Sequence, residues 1–115
     1  MPYKRGDLVL VWFPHSDLKT LKRRPAIVVQ ADALGTGLPQ VVLAMITSNL
    51  ARLGHPSRVP VPKASPVGAA SGLVADSVIM TDNLATVLEK AIDSDLGKLA
   101  DMTEVDRALR HTLGI

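Results

Sequence analysis

The sequence predicts a mainly β fold, a small and strongly curved antiparallel sheet or barrel with one α-helix at its C-terminus. Short apolar runs rich in β-branched residues recur between polar or Gly/Pro-rich connections from residue 7 onwards, and this pattern is typical of strands. Residues 102–113 change to the three- and four-residue apolar spacing of a helix. That helix would pack on the sheet, which makes the class α+β with β predominating.

The first two strands are predicted to form an antiparallel hairpin. Residues 7–13 are apolar and lie between a glycine and a proline, which mark the ends of the strand. Residues 24–30 include a continuous β-branched run. Pro25 suits the first position of that strand, because it fixes φ and has no amide donor. The polar and basic residues 15–23 would form the loop between the strands.

The middle of the chain supplies a central strand and an edge strand. Residues 40–47 are apolar and β-branched, which predicts the central one. The preceding connection, residues 32–39, contains two glycines and a proline and has room for one short helical turn. After a second long loop at residues 48–57, the prolines within residues 58–62 favour a sheet edge, where a missing amide donor is tolerated.

The last third of the chain is predicted to hold shorter strands before the helix. Residues 63–72 are small and typical of a loop, and strands are expected at residues 73–74 and 77–80. Residues 84–92 begin extended. In the helix, Thr103 is expected to act as the cap with Asp106 as its partner. One apolar face would be formed by Val105, Leu109, Thr112 and Leu113, with His111 on the exposed side.

Composition predicts one globular domain spanning residues 1–115. The chain is 47% hydrophobic with a mean hydropathy of +0.23, which excludes a disordered chain, and its apolar runs are too short to span a bilayer. We therefore expect no membrane association. The absence of cysteine excludes disulfides, zinc thiolate sites and cysteine nucleophiles. The first residues contain no apolar signal segment, so a cytoplasmic location is expected.

Charge is divided unevenly along the chain. Residues 1–63 contain nine Lys and Arg against three Asp, a balance of +6, whereas residues 64–115 contain four against eight acidic residues, a balance of −4. Such a chain can attract a polyanion to one surface, although basic and acidic elements that simply pair in the fold would give the same count. Only three aromatic residues are present, which argues against a platform for base stacking.

Arg24 is the most informative single residue. It follows Lys22 and Arg23 and stands immediately before the strand, where the arginine fork could bind a phosphate oxygen pair. The alternative is that these three residues are solvated charges that discourage edge pairing.

Thr47-Ser48-Asn49 is a second candidate group, because three polar side chains directly follow an apolar strand. Their hydroxyl and amide groups could bind a phosphate or a base edge, and they could equally be turn-forming residues. Asp82 follows its strand in the same way, so neighbouring strands would bring the two groups to one rim.

No motif for a metal or cofactor is recognisable. The chain lacks a P-loop, a GxGxxG, an HExxH and a GxSxG motif, and its three histidines have no metal-ligand spacing. We therefore expect neither a metal nor a cofactor.

Four segments in order resemble the MazF/PemK family of toxins. They are Lys4-Arg5-Gly6-Asp7 before the first strand, Arg24-Pro25-Ala26-Ile27-Val28-Val29, Ile46-Thr47-Ser48, and Asp76-Ser77-Val78-Ile79. The resemblance covers nearly the whole chain. It implies an SH3-like, CcdB-like barrel that forms a homodimer, cleaves single-stranded RNA at short motifs without a metal, and is inhibited by a cognate antitoxin.

The resemblance assigns catalysis to Arg24 and Thr47. It implies attack by a ribose 2′-hydroxyl on the adjacent phosphate, giving a 2′,3′-cyclic phosphate and a 5′-hydroxyl. Arg24 would stabilise charge on the phosphoryl oxygens and Thr47 would donate a hydrogen bond. The candidates for RNA contact are Asp17, Lys19, Lys22, Arg23, Ser48, Asn49, Arg52 and Asp82. The loop from Asn49 to Arg58 as a whole is a further candidate for RNA contact and for the choice of RNA sequence.

Two positions depart from the family pattern. The PemK branch has an arginine where this chain has Met80, and many relatives have one where it has Ala85. Both differences remove cations from the expected RNA face. Two other functions stay open on the same barrel: a gyrase-type inhibitor that binds protein, and a catalytically weakened RNA-binding barrel.

Overall fold

The computed structural model describes residues 3–14, 17 and 19–115, which form one antiparallel sheet with two α-helices. This confirms the mainly β class with a C-terminal helix. Short 3₁₀ turns lie at Leu50–Arg52 and Glu89–Ala91. The strands are β1 (Asp7–Pro14), β2 (Leu21–Val28), β3 (Gln40–Thr47), β4 (Arg58–Val61), β5 (Ser77–Leu88) and β6 (Ile92–Lys98), and the helices are α1 (Pro66–Ser71) and α2 (Thr103–Leu113).

The strand order is β4-β5-β3-β2-β1-β6, which confirms a central β3 and an edge position for β4. The two edge strands approach each other across α1. This helix follows β4 within five residues, and its end lies against β6 so closely that a Cβ on Gly72 would be 2.1 Å from the Leu96 carbonyl oxygen. The sheet therefore curls into a barrel-like shape.

Alternation along the strands divides the core between the two faces of the sheet. One cluster lies under α2, which packs on β4 and β5, and includes Leu8, Ile27, Ile79 and Val105. The other includes Val9, Val11, Ala26, Val28, Val41, Leu43 and Met45. We call the face that bears this second cluster the inner face, and the candidate site lies at one end of it.

The second strand begins earlier than predicted. β2 starts at Leu21, because its polar first half pairs with β1 down to the Pro14–Leu21 pair. Pro25 is therefore inside the strand and not at its start. It is tolerated there because pairing with β3 begins only at Ala26. The predicted loop of residues 15–23 is correspondingly shorter, and His15 lies outside the described residues.

Three further expectations for the connections are wrong. The segment predicted as a loop at residues 63–72 contains α1, which Ser65 caps by accepting a hydrogen bond from the Gly68 amide. Residues 73–74 form no strand, and residues 32–39 contain turns but no helix. The sequence contains the serine and proline that are typical of a helix start, but the small residues that follow were interpreted as a loop.

The end of the chain also differs in detail. β6 was not predicted, because an edge strand with alternating Asp and Ser residues lacks an apolar pattern. α2 has Met102 at its N-cap position, and the Thr103 hydroxyl donates to Asp101 instead of capping the helix. The predicted exposure of His111 is confirmed. Arg5 ties α2 to the sheet through Asp106, at 2.5 Å, and through the Val29 carbonyl.

Candidate active site

Arg24 and Thr47 occupy equivalent positions at the ends of paired strands. β2 and β3 are paired from Val28–Leu43 to Ala26–Met45. Continuing this register by two residues places Arg24 opposite Thr47. Because side chains two residues apart share a face, both project from the inner face, just beyond the last paired residues.

Arg24 is half-buried, and its guanidinium has no ion-pair partner within the described residues. Its neighbour behaves differently. Arg23 projects from the opposite face, where it lies 5.8 Å from the centre of the Trp12 ring and 3.2 Å from an Asp93 carboxylate oxygen. Of these two consecutive arginines, Arg24 is therefore the one with its donors available to an anion.

Thr47 begins a short chain of hydrogen bonds that shapes the next loop. Its hydroxyl oxygen accepts from the Asn49 amide at 3.1 Å, and the Asn49 side chain accepts from the Ala51 amide at 3.1 Å, which caps the 3₁₀ turn. These residues are thus turn-forming, as the alternative interpretation held. Since Thr47 uses its oxygen as an acceptor, its hydroxyl proton can still be donated to a ligand.

Two clefts meet at this pair of residues. The first cleft has a volume of about 450 Å³ and the second a volume of about 440 Å³. Both clefts are lined by Arg24, Thr47 and Asn49. The first cleft is lined further by Phe13, Pro14, Met45, Ile46, Arg52, Arg58, Met80, Asp82 and Asn83, and the second by Lys22, Arg23, Pro25, Ile46, Ser48, Leu73, Val74, Ala75 and Ser77. An extended ligand can therefore pass on both sides of Arg24.

A bulge in β5 places the acidic residue of the first cleft. The register with β3 shifts from the Ala44–Leu84 pair to the Met45–Met80 pair, so that residues 81–83 are displaced from regular pairing. Bulges of this kind re-aim side chains near functional sites. Here the bulge brings Asp82 and Asn83 to the cleft.

The bulge is anchored by Thr81, which is fully buried. Its hydroxyl donates to the Ser57 carbonyl at 2.5 Å and lies 2.8 Å from the Thr112 hydroxyl of α2, while its amide donates to the same carbonyl at 3.0 Å. The C-terminal helix and the loop after β3 thus hold the bulge in place together.

Asp82 is paired with Arg58, the first residue of β4. Arg58 Nη2 donates to Asp82 Oδ2 at 2.9 Å. This hydrogen bond lowers the pKa of the Asp82 carboxyl from its ordinary value of 3.8, and partial burial opposes the effect only in part. Asp82 is therefore ionised at neutral pH and cannot act there as a general acid.

The structure brings eight of the ten predicted site residues to the two clefts. Asp17 and Lys19 line neither cleft. The Asp17 carboxylate accepts the Lys19 and Thr20 amides, and the first of these hydrogen bonds is the main cause of its lowered pKa. Asp17 thus shapes the loop between β1 and β2.

Sequence reasoning missed several residues of the first cleft. Phe13, Met45 and Asn83 belong to it because of strand pairing and the β5 bulge, neither of which a single sequence displays. Arg58 was predicted as the start of an edge strand and as the last residue of a loop that could contact RNA, but not as a residue of the first cleft, which it lines.

Neither a membrane-spanning helix nor a metal-binding cluster is found in the described part of the chain. No helix in residues 3–14, 17 and 19–115 is long and apolar enough to cross a bilayer. The same residues contain no group of three His, Cys, Asp or Glu side chains arranged to hold a metal ion.

The fold and the clefts define a small barrel-like β protein with an arginine-containing surface site. Residues 4–113 match the family model described as PemK-like, MazF-like toxin of type II toxin-antitoxin system. The chain therefore belongs to this toxin family. It is 32% identical over 105 residues to Endoribonuclease MazF2 of Mycobacterium bovis and to Endoribonuclease MazF6 of Mycobacterium tuberculosis, which covers 89% of this chain and 88% of each relative.

Solved structures support the same fold. The chain matches a MazE–MazF crystal structure from Deinococcus radiodurans with a TM-score of 0.74 and 22% identity, over 100% of this chain and 99% of that one. An endoribonuclease in complex with its cognate antitoxin, from a mycobacterial species, matches with a TM-score of 0.73 and 22% identity, over 98% and 96% of the two chains. These similarities confirm the barrel-like fold that the family resemblance implied.

Proposed function

We propose that this toxin is an endoribonuclease that cuts single-stranded RNA at the junction of the two clefts, with Arg24 and Thr47 as its catalytic residues. The observation that supports the site is half-buried Arg24, whose guanidinium has no ion-pair partner among the described residues and which lines both clefts with Thr47. The enzymatic class follows from family membership and from the endoribonuclease relatives. These relatives also favour RNA cleavage over gyrase-type inhibition.

The proposed reaction is transesterification within the RNA. The ribose 2′-oxygen attacks the adjacent phosphorus while the bond from phosphorus to the 5′-oxygen breaks, and this leaves a 2′,3′-cyclic phosphate and a 5′-hydroxyl. One proton leaves the 2′-hydroxyl and one is gained by the 5′-oxygen. Arg24 stabilises negative charge that develops on the phosphoryl oxygens, and the Thr47 hydroxyl donates to one of them. A guanidinium is too weak an acid to supply the proton itself.

The clefts would hold the nucleotides on either side of the cleaved phosphate. The first offers apolar side chains, Phe13, Met45 and Met80, against which a base can lie, together with polar groups that can contact its edge. The second is flanked by Lys22 and contains the Ser48 hydroxyl. Binding through both clefts aligns the 2′-oxygen with the bond to be broken, which is the positioning that this chemistry requires.

We further propose that the chain acts as a homodimer and is inhibited by a cognate antitoxin. An exposed apolar surface, formed by Trp12, Leu21 and Leu88, would be covered in the dimer. An endoribonuclease that was solved in complex with its cognate antitoxin and a MazE–MazF structure, both similar in fold to this chain, support the second part. An acidic antitoxin segment would compete with RNA for Arg24.

Cleavage of a defined RNA pool tests the proposed activity. Purified protein is incubated with single-stranded RNA in the presence of a chelator, and the ends of the products are sequenced and analysed chemically. We expect 2′,3′-cyclic phosphate and 5′-hydroxyl ends at one short motif. Arg24→Ala should lower the cleavage rate by about 100- to 1000-fold, as expected for loss of a preorganised donor to the transition state.

Matched variants separate the chemistry from general charge effects. Arg24→Lys keeps the charge without the planar fork and should recover only part of the activity. Arg107→Gln removes an exposed arginine of α2 that lines neither cleft, and it should cleave like the parent. An intact RNA pool, or an Arg24→Ala variant as active as the parent, would contradict the proposal. RNA binding without cleavage would identify the weakened barrel.

A further inference from the structure

Arg58 extends from the same face of the sheet as the two proposed catalytic residues. It pairs with Met80 of β5, and Met80 pairs with Met45 of β3. Directly opposed residues of antiparallel strands share a face, and Met45 shares its face with Thr47 two residues further on. Arg58 therefore projects from the inner face and lines the first cleft on the wall opposite Arg24.

The Arg58 guanidinium is held in place by two acceptors. Nη2 donates to Asp82 at 2.9 Å, and Nη1 donates to the Arg52 carbonyl oxygen at 3.1 Å. The side chain is only 23% exposed. A cation fixed in this way loses little conformational freedom when it binds an anion.

Arg58 has donor capacity that these two contacts do not use. A guanidinium carries five N–H groups, and two of them are engaged here. Nε is buried and has no acceptor among the residues that the structure describes, so the donors left for a ligand are the second N–H groups of Nη1 and Nη2. The surrounding wall is formed by Phe13, Met45 and Met80, which screen a charge poorly.

The neighbouring strand offers no cation of its own. Within the cleft β5 contributes Met80, Asp82 and Asn83, so that positive charge on this wall comes from β4 and from the loop that contains Arg52. β4 and β2 are separated by two strands, so their Cα atoms would be about 14 Å apart in a flat sheet. Both side chains line the same cleft and extend into it from opposite walls, so their guanidinium groups can approach neighbouring phosphates of one RNA strand.

We propose that Arg58 is a second phosphate-binding arginine, which holds the phosphate next to the one that is cleaved, and that Asp82 is the positioning residue that orients it. The proposal rests on the proposed function, since it assigns a further contact for the same substrate. It also explains why an acidic residue, Asp82, lies in a cleft that binds a polyanion: its carboxylate orients Arg58.

Binding and cleavage are measured separately for Arg58→Gln, with Arg107→Gln as the matched loss of one charge. Binding uses an oligonucleotide without 2′-hydroxyls, which cannot react by internal attack. We expect Arg58→Gln to reduce the slope of log affinity against log salt concentration by about 0.7, the value for one phosphate contact on a single strand. Single-turnover cleavage should fall about 10-fold or more, since a charged hydrogen bond to the substrate is lost.

Two further variants address folding and position. Arg58→Lys keeps the charge and should restore the salt slope but only part of the cleavage rate. The double variant Arg58→Met with Met80→Arg moves the arginine to the directly opposed residue, and it should bind more tightly than Arg58→Met alone. These comparisons remain decisive if Arg58→Gln lowers thermal stability.

The outcomes distinguish this inference from the proposed function. Parent-like binding, salt slope and cleavage in Arg58→Gln, while Arg24→Ala is inactive, would overturn the role of Arg58 and leave the endoribonuclease intact. A reduced salt slope in Arg58→Gln, in a protein that cleaves no RNA, would support the phosphate site and overturn the proposed reaction. The inference would also be contradicted if the slope of log affinity against log salt concentration were less steep in Arg107→Gln than in Arg58→Gln.

Discussion

Replacing Thr81 with valine should destabilise the bulge that carries Asp82. The substitution keeps the shape of a fully buried side chain and removes two contacts of its hydroxyl, with the Ser57 carbonyl and with the Thr112 hydroxyl. The Ser57 carbonyl keeps the Thr81 amide as a donor at 3.0 Å, and half-buried Thr112 can turn to water. Neither partner is thus left unsatisfied.

The expected loss follows from this inventory of hydrogen bonds. Each net intramolecular hydrogen bond contributes about 1 kcal/mol, so Thr81→Val should lower the free energy of unfolding by about 1–2 kcal/mol. For a chain of 115 residues this corresponds to a fall of about 4–8 °C in Tm. Urea titration and thermal unfolding measure the two values. Cleavage should fall as well, because Asp82 and Arg58 lose their fixed position.

A double-mutant cycle makes this prediction sharper. Thr81→Val and Thr112→Val remove the same hydroxyl contact, so their effects should add to more than the effect of the double variant. Thr86→Val, at an exposed threonine of the same strand, serves as the control and should change stability by less than about 0.5 kcal/mol. Parent-like stability of Thr81→Val, or strict additivity with Thr112→Val, would refute the anchoring role.

Two other predictions concern the barrel closure and the ion pair. Gly72 has φ +74° and no space for a Cβ beside Leu96, so Gly72→Ala should lower the free energy of unfolding by about 3 kcal/mol or more. Gly37 has φ +77° but open surroundings, so Gly37→Ala should lower it by only about 1–2 kcal/mol. Chemical denaturation measures both values. Because Arg58 depresses the pKa of Asp82, the stability that this charge adds is present above the ordinary value of 3.8 and is lost as pH falls through the lower folded value. The stability difference between the parent and Asp82→Asn should therefore be constant near neutrality and shrink below pH 3.8, and a difference that grows on acidification would contradict this.

The proposed catalytic pair could be recognised in the sequence because its context is local. Arg24 precedes an apolar run and Thr47 follows one, and both features are visible within a few residues of sequence. The strands that carry them were likewise found, since central strands have long β-branched runs. Their equivalence across β2 and β3 depends on register, which the structure supplies.

The parts that were missed depend on partners distant in sequence. β6 is stabilised as a strand by pairing with β1 and by the close approach of α1, and its own acidic pattern indicates neither. The bulge at residues 81–83 exists because Thr81 finds Ser57 and Thr112, which come from a loop and from the last helix. Contacts between residues distant in sequence cannot be predicted from local strand propensity.

Asp82 could be predicted as a site residue from its place after a strand, whereas its role depends on a partner that the sequence does not indicate. As an RNA contact it would be an unfavourable choice, because an ionised carboxylate repels phosphates, and its lowered pKa keeps it ionised. Paired with Arg58 it forms a neutral unit at 2.9 Å, so the repulsion is largely cancelled within the cleft. The hydrogen bond to Asp82 holds the Arg58 guanidinium in one orientation, and its unused N–H groups can still donate to a ligand. An isolated arginine would not be held in this way. The orientation of Arg58, and not the net charge of the cleft, is therefore what Asp82 contributes.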